Sequence, residues 1–385
     1  MCHDCGMDCD VLIVGGGIAG LSLAWRLAPN RAVVLVEAEA SLAFHTSSRS
    51  ARQMQPSYGP GAIQELTHRS IAMVERISAR LPSPILMPRP LLTLGTAEEV
   101  AQLVAENANL VPLNHTETME RSPDLRPEKF EASALDGTAM EVDVPALLEF
   151  YRSQAVGAGA MVLTGSPVSA VEVVGAEPPA AGNGAEPSPN PAGRFRVTAG
   201  RHSITATTVV DAAGAWADSV AGTFGARPRG LAPHRRSVAI VSTEKPVNPS
   251  GPMVEPANES FYYRPDGTHL LISPCESVPA EPGDAQVVEA DITELIQRID
   301  AVTDLGITGV VRSWTGLRTQ PADGLPVVGF DDGVPNFFWL AGQGGYGVQT
   351  SAALATLAAG LIAGNLPDGD AGLAATLSPQ RAGLA

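Results

Sequence analysis

A glycine turn wedged between two apolar runs constrains this chain more than any other feature. Residues 10–14 (DVLIV) run straight into Gly15-Gly16-Gly17-Ile18-Ala19-Gly20. Residues 21–27 follow with helical spacing and stop before Pro29; residues 32–36 (AVVLV) form a second apolar run closed by Glu37. Short apolar runs bounded by turn residues read as strands buried on both faces. Strand, glycines, helix and strand in this order make a βαβ unit, and hence a parallel sheet.

Each glycine has a task in that unit. The first permits the tight turn, the second lets a pyrophosphate approach the backbone, and the third lets the helix pack on the strand. The free N–H groups and dipole of the helix start hold phosphate. Glu37 stands about 20 residues beyond the turn, where an acid accepts ribose hydroxyls. These residues predict a dinucleotide site on Gly15, Gly17, Ile18, Ala19, Gly20, Glu37 and Ala38.

Composition narrows the partners. The 385 residues carry a net charge of -16, so the basic footprint that nucleic acid requires is missing. Docking on anionic lipid is disfavoured for the same reason. No apolar run approaches the roughly 18 residues of a membrane span, and 352–362 reads as a buried helix. The N-terminus has no basic region followed by an apolar core, so a cytoplasmic location is expected. Cys2, Cys5 and Cys9, with His3 among them, could form a metal clip, but a lone cysteine triplet has no partner group elsewhere in the chain. Residues 1–8 are therefore expected to be a disordered leader, with no metal bound. Cys275 reads as a core or loop thiol.

Further along, 41–61 reads as a loop over a site. Helices are expected at 65–81, 97–107, 142–156 and 291–301. Strands are expected at 91–94, 161–163, 168–174, 195–198, 207–210, 237–241, 261–263, 270–273 and 337–341. Residues 175–193 are Pro/Gly/Ala-rich without apolar periodicity, and read as a flexible surface loop. A second glycine-rich exit, Gly342-Gln343-Gly344-Gly345, leads from the last strand into a helix. The N-terminus of that helix would stabilise negative charge on a reduced flavin. A chain that returns to its first sheet in this way favours FAD over NAD.

Several blocks then carry a resemblance. They are Ser48-Arg49-Ser50-Ala51, Ser57-Tyr58-Gly59, Asp211-Ala212-Ala213-Gly214-Ala215-Trp216, Arg235-Arg236-Ser237, Ser260-Phe261-Tyr262, Trp314-Thr315-Gly316-Leu317-Arg318 and Gln343-Gly344-Gly345-Tyr346-Gly347-Val348-Gln349-Thr350. Together they resemble the D-amino-acid oxidase superfamily of flavoenzymes, and within it the FAD-dependent D-arginine dehydrogenases. The resemblance implies an α/β fold: an FAD-binding Rossmann-type domain interleaved with a substrate domain built on a mixed β-sheet. The expected partition is 9–55, 140–230 and 325–385 for FAD, and 56–139 and 231–324 for substrate.

It also implies roles. Ser48, Arg49, Ser50 and Ala51 would lie along the cofactor near the pyrophosphate. Val168 would contact adenine. Ala213, Gly214 and Trp216 would line the cofactor, and Gly344, Gly345, Tyr346, Gly347, Val348, Gln349 and Thr350 would edge the isoalloxazine ring. Arg318 would clamp the substrate carboxylate through its planar fork. Arg236, Tyr58 and Tyr262 would complete the pocket, with the Gly316 carbonyl and Gln349 near the substrate amine.

Two positions depart from that pattern. The D-arginine dehydrogenases have a histidine where this chain has Gln53. They place a glutamate after Pro-Arg-Pro, where this chain has Leu91, and a leucine cannot pair with a cation. A D-amino acid with a neutral or apolar side chain is therefore the expected substrate. Oxidation would pass the Cα hydrogen as hydride to flavin N5, and the imino acid would hydrolyse to a 2-oxo acid and ammonia. Sarcosine-oxidase-like relatives use a lysine near the flavin for O2; residues 270–272 offer none, which favours an acceptor such as a quinone or a protein over O2. No cysteine lies near the 318 or 343 blocks in sequence, so non-covalent FAD is expected. Alternatives are a glycine- or sarcosine-type amine oxidase, a 2-hydroxy acid dehydrogenase, and a flavin-binding subunit without catalysis.

Overall fold

The computed structural model describes residues 6–175 and 193–384. The first strand, Met7–Val14, is continuously paired and its second half is fully buried. Val33–Val36 lies parallel on one side of it, and His202–Asp211 lies parallel on the other. Met161–Leu163 extends the sheet beyond Val33–Val36, while Phe337–Ala341 joins parallel to the end of His202–Asp211. Val327–Phe330 closes that edge antiparallel. The start of His202–Asp211 instead carries a meander of Arg194–Ala199 and Val168–Val174. Helices Ile18–Leu27, Val144–Gly157 and Gly347–Ala363 cover one face through Leu21, Leu147 and Leu357. Phe195, Phe337 and Trp339 fill the other.

One boundary differs from the sequence reading. Met7 and Asp8, assigned to a leader, pair with Ile204 and Thr205 as the start of the first strand. Cys9 is buried in that strand, where burial pushes its thiol up to about 12, so it is not part of an exposed clip. Residues 1–5 and most of the 175–193 loop (176–192) lie outside the described residues.

The second sheet has nine strands among the described residues. Ile307–Gln320 and Ala232–Thr243 form its long antiparallel edge, from Ala232↔Gln320 to Thr243↔Ile307. His269–Ser273, Tyr262–Asp266, Met253–Pro256 and Leu91–Gly95 follow in that order. Alternation gives this sheet two faces. Helix Glu289–Val302 covers one through Ile292, Leu295 and Ile299. The other carries Arg236, Val238, Tyr262 and Met253, and turns toward the parallel sheet.

Helix Gly61–Ser78 was grouped with the substrate domain. It packs on the C-terminal helix, with Leu66 and Val74 in the core beneath the parallel sheet. The Ser70 hydroxyl accepts the Ala353 N–H at 3.0 Å, and Gln349 donates to Thr67 at 2.9 Å.

Candidate active site

One cavity of about 440 Å³ runs from the glycine turn to the face of the mixed sheet that carries Arg236 and Tyr262. Its first end is the βαβ turn. Gly15 holds φ +112°, and a Cβ there would sit 2.4 Å from the Ala212 carbonyl oxygen. Gly20 is packed so closely that a Cβ would lie 2.0 Å from the Gly15 carbonyl; it keeps the helix on the strand and does not face the cavity. Gly17, Ile18 and Ala19 do. Glu37 accepts the Gly16 N–H at 2.6 Å and the Glu39 N–H at 2.9 Å, which aims its carboxylate beside the turn. Ala38, Val168, Ala213, Gly214 and Trp216 continue the wall.

Here one assignment needs correcting. Ser48 was expected along the pyrophosphate, but its hydroxyl turns back to the Phe44 and His45 carbonyls. Ser47 lines the cavity and accepts the Ile18 N–H at 2.9 Å. The two fall in the one-turn 3-10 helix Thr46–Arg49. Three residues per turn set adjacent side chains about 120° apart, so only one of two consecutive serines can face the phosphate site. Arg49, Ser50 and Ala51 remain on the wall, with Arg49 donating to the Thr315 carbonyl at 2.6 Å.

The other end is built on the long antiparallel pair. Arg236 stands opposite Gly316, and Arg318 follows two residues later on the same face. The Arg318 guanidinium is flat against Gly345, where a Cβ would come within 2.8 Å of Nη1. Arg318 has no carboxylate partner among the described residues, and its donors face the cavity. Tyr58 and Tyr262 stand around it; burial, against the pull of Arg318, pushes both phenols above their usual range, so both are donors at neutral pH. The Tyr262 hydroxyl is buried without a partner. Gly344, Gly345, Gly347, Val348 and Gln349 bring the start of the C-terminal helix to this same wall. Tyr346 and Thr350 do not reach it: Tyr346 packs on Tyr58 at 5.4 Å between rings, and Thr350 donates to the Tyr346 carbonyl.

Leu91 is also not on the wall. It is buried beside Met253 in the neighbouring strand of the same sheet and is not among the residues that line the cavity. Two acids that the sequence reading passed over are there, Glu255 and Glu259. Val254 and Tyr263 pair across the strands, so Glu255 and Tyr262 both take the opposite, cavity-facing side. Burial, with repulsion from Glu259, pushes the Glu255 carboxyl up to about 8. Strand alternation from Met253 could have placed Glu255, had 253–256 been recognised as a strand.

This shift has a testable sign. The unfolded chain gives up the Glu255 proton near its ordinary 4.5 and the folded chain only near 8, so the residue erodes stability as pH rises between them. Glu255→Gln should therefore gain on the native protein in Tm from pH 5 to pH 8 and keep a constant margin above that. A margin independent of pH would refute the assignment.

Beneath the pocket, Arg89 and Arg264 converge on Glu141 at 2.6 and 2.9 Å. Burial raises the Glu141 carboxyl, but Arg264 and Arg89 more than offset it and hold it below the usual range. Arg264 also donates to the Ala51 carbonyl, and the Arg89 carbonyl accepts from Gln53, so the network props the 50–53 loop. Glu141→Ala would strand the fully buried Arg264 and should cost about 3 to 5 kcal/mol in denaturant unfolding. A loss under 1 kcal/mol would show that the network is dispensable.

Comparison with known proteins follows the same lines. The family model described as FAD dependent oxidoreductase matches residues 10–361. This chain belongs to that family. Glycine oxidase of Geobacillus kaustophilus is 25% identical over 372 residues, covering 92% of each chain. Rat dimethylglycine dehydrogenase is 24% identical over 88% of this chain, which spans only 41% of that relative. Among solved structures, Geobacillus glycine oxidase superposes with a TM-score of 0.79 at 23% identity, covering 97% and 99% of the two chains. L-proline dehydrogenase from P. horikoshii gives 0.80 at 16%, with 98% of each chain covered.

The cofactor of this oxidoreductase family is FAD, and the cavity fits it. Gly15, Gly17, Ile18 and Glu37 line one end of it, and Gly345 and Gly347 at the start of the C-terminal helix line the other, with Gly345 against Arg318. The chain's two lysines are elsewhere: Lys245 pairs with Asp304 on the surface and Lys129 lies in the short helix Pro127–Lys129. Cys275, distant in sequence from the 318 block, is on the cavity wall; burial pushes its thiol up to about 11, which keeps it protonated. No helix among the described residues is long and apolar enough to cross a membrane, and no metal-ligating cluster is found among them.

Proposed function

We propose that this protein oxidises a D-amino acid at its Cα–N bond, giving an imino acid that water converts to a 2-oxo acid and ammonia. The observation that carries the proposal is Arg318, a guanidinium laid against Gly345 on the cavity wall with no carboxylate partner among the described residues. Burying such a charge is costly without an anion, and a carboxylate matches its fork. Bound FAD supplies the hydride acceptor. Arg318 and Arg236 hold the carboxylate, so catalysis by the protein is chiefly orientation of the Cα–H. Tyr58 and Tyr262 donate to the same carboxylate or exclude water from it. The D configuration rests on the resemblance of the sequence blocks. The likeness to glycine oxidase supports an amine or amino-acid donor.

A cavity wall without lysine favours an acceptor other than O2, and the high thiol pKa of Cys275 fits FAD held without a covalent bond. A panel of D- and L-amino acids, glycine, sarcosine and 2-hydroxy acids tests the reading, scored both by dye reduction and by peroxide. D-amino acids should lead with dye and give little peroxide. A lead for glycine or sarcosine with stoichiometric peroxide would replace it by the amine-oxidase reading.

A further inference from the structure

We propose that Asp136 and Asn107 are positioning residues: from outside the cavity they pin the backbone at Ser57, and through it hold the Tyr58 phenol on the Arg318 guanidinium. This rests on the reading of Arg318 as the carboxylate clamp, and adds the residues that keep its neighbour in place. Neither Asp136 nor Asn107 lines the cavity.

Residues 55–60 run from the strand Gln53–Met54 to the helix Gly61–Ser78 without regular structure of their own. Their backbone groups therefore need partners from elsewhere. Two partners are local: the Tyr58 N–H donates to the Gln55 carbonyl at 3.2 Å, and Gln64 donates to the Gly59 carbonyl at 2.9 Å. The two at Ser57 come from 79 and 50 residues away. Its N–H donates to Asp136 at 3.1 Å, and its carbonyl accepts the Asn107 amide at 2.5 Å. Asp136 ends the strand Ala132–Asp136, and Asn107 caps the helix Ala97–Glu106.

The consequence for Tyr58 follows from the geometry of the chain. A peptide unit is planar and turns as one body. The Ser57 carbonyl and the Tyr58 N–H belong to the same unit, and both are bonded, so its plane is set. Asp136 sets the unit before it through the Ser57 N–H. Tyr58 thus leaves a fixed backbone, its ring 5.4 Å from that of Tyr346 and its phenol reaching Arg318. Gly59, at φ +91°, is packed so closely that a Cβ would lie 2.9 Å from the Tyr346 ring, which blocks a shift of the loop to that side.

Both clamps need the residue type they have. Asp136 is 0% exposed, and its Oδ1 already takes the Thr138 N–H at 2.9 Å and the Thr138 hydroxyl at 2.5 Å. Only a second acceptor oxygen can serve Ser57 as well, and an asparagine there has one oxygen. Asn107 must donate, which an aspartate of the same shape cannot do.

Variants of the FAD-loaded protein test this by hexanoate binding, read from the flavin difference spectrum, and by kcat/KM for the best amino-acid substrate. Asn107→Ala and Asp136→Asn should each weaken hexanoate and lower kcat/KM by about 5- to 10-fold, mainly through KM, with flavin absorbance retained. Asn107→Asp should lose as much as Asn107→Ala. The Asn107 arm stands by itself should Asp136→Asn lose its fold. The deciding arm is a double-mutant cycle: once Tyr58→Phe has removed the phenol hydroxyl, Asn107→Ala should cost less than about 2-fold. Equal losses in the two backgrounds, native hexanoate affinity in the Asn107 variants, or full function in Asn107→Asp would overturn the inference while Arg318→Ala still loses the carboxylate. If Arg318→Ala binds hexanoate as the native protein does, the carboxylate reading falls and the inference falls with it.

Discussion

Arg318→Ala is expected to lower kcat/KM for the best amino-acid substrate by roughly 10²- to 10³-fold while the protein keeps its FAD. The size follows from what the side chain does. It is the charged group laid against the start of the C-terminal helix, and no carboxylate among the described residues pairs with it. Removing it takes away a charge-assisted, bidentate contact and also the alignment of the Cα–H. Both KM and kcat should therefore suffer. Arg318→Lys should recover only part of the loss, because an ammonium keeps the charge but not the fork. Steady-state kinetics with the flavin absorbance as a loading control measure this. Unchanged kcat/KM in a fully loaded variant would remove the carboxylate clamp from the account.

Gly15→Ala should leave the protein largely colourless. At φ +112° an L-residue is strained whatever the space, and here the added Cβ meets the Ala212 backbone at 2.4 Å. Neither partner is the end of a flexible side chain, so the turn itself must move. The phosphate cradle moves with it. FAD content after purification should fall below about a tenth of the native value, a loss of some 1.4 kcal/mol or more in binding. Gly137→Ala is the control: that glycine has ordinary φ and open space around it, so colour and Tm should hold. Acid precipitation of the native protein should release its FAD into the supernatant. A yellow Gly15→Ala protein would place the cofactor elsewhere.

What could be read in the residues follows a physical division. Locally determined features were legible: the first βαβ unit, Glu37 at its end, and strands such as Val168–Val174, where turn chemistry and apolar runs agree. The strand Ile307–Gln320 was not read as one. It is a sheet edge whose first half is exposed, and Gly309, Arg312 and Gly316 break its alternation. Its pairing with Ala232–Thr243 is a long-range contact that no local pattern encodes. Leu91 misled for the same reason. Its sequence position matched a substrate-contacting residue, but its strand is the next one along the sheet from Met253, and Leu91 falls outside the cavity lining. The serine choice turned on the pitch of a four-residue helix. Glu255 was hidden in a strand of only four residues, too short to be recognised as one.

The most direct test of the central claim is anaerobic mixing of the purified yellow protein with a D-amino acid and, separately, with the amine that lacks its carboxylate. The account predicts that the amino acid bleaches the flavin band in a single turnover, releasing one 2-oxo acid per FAD, and that the amine does not. Equal bleaching by both, or by neither, would contradict it.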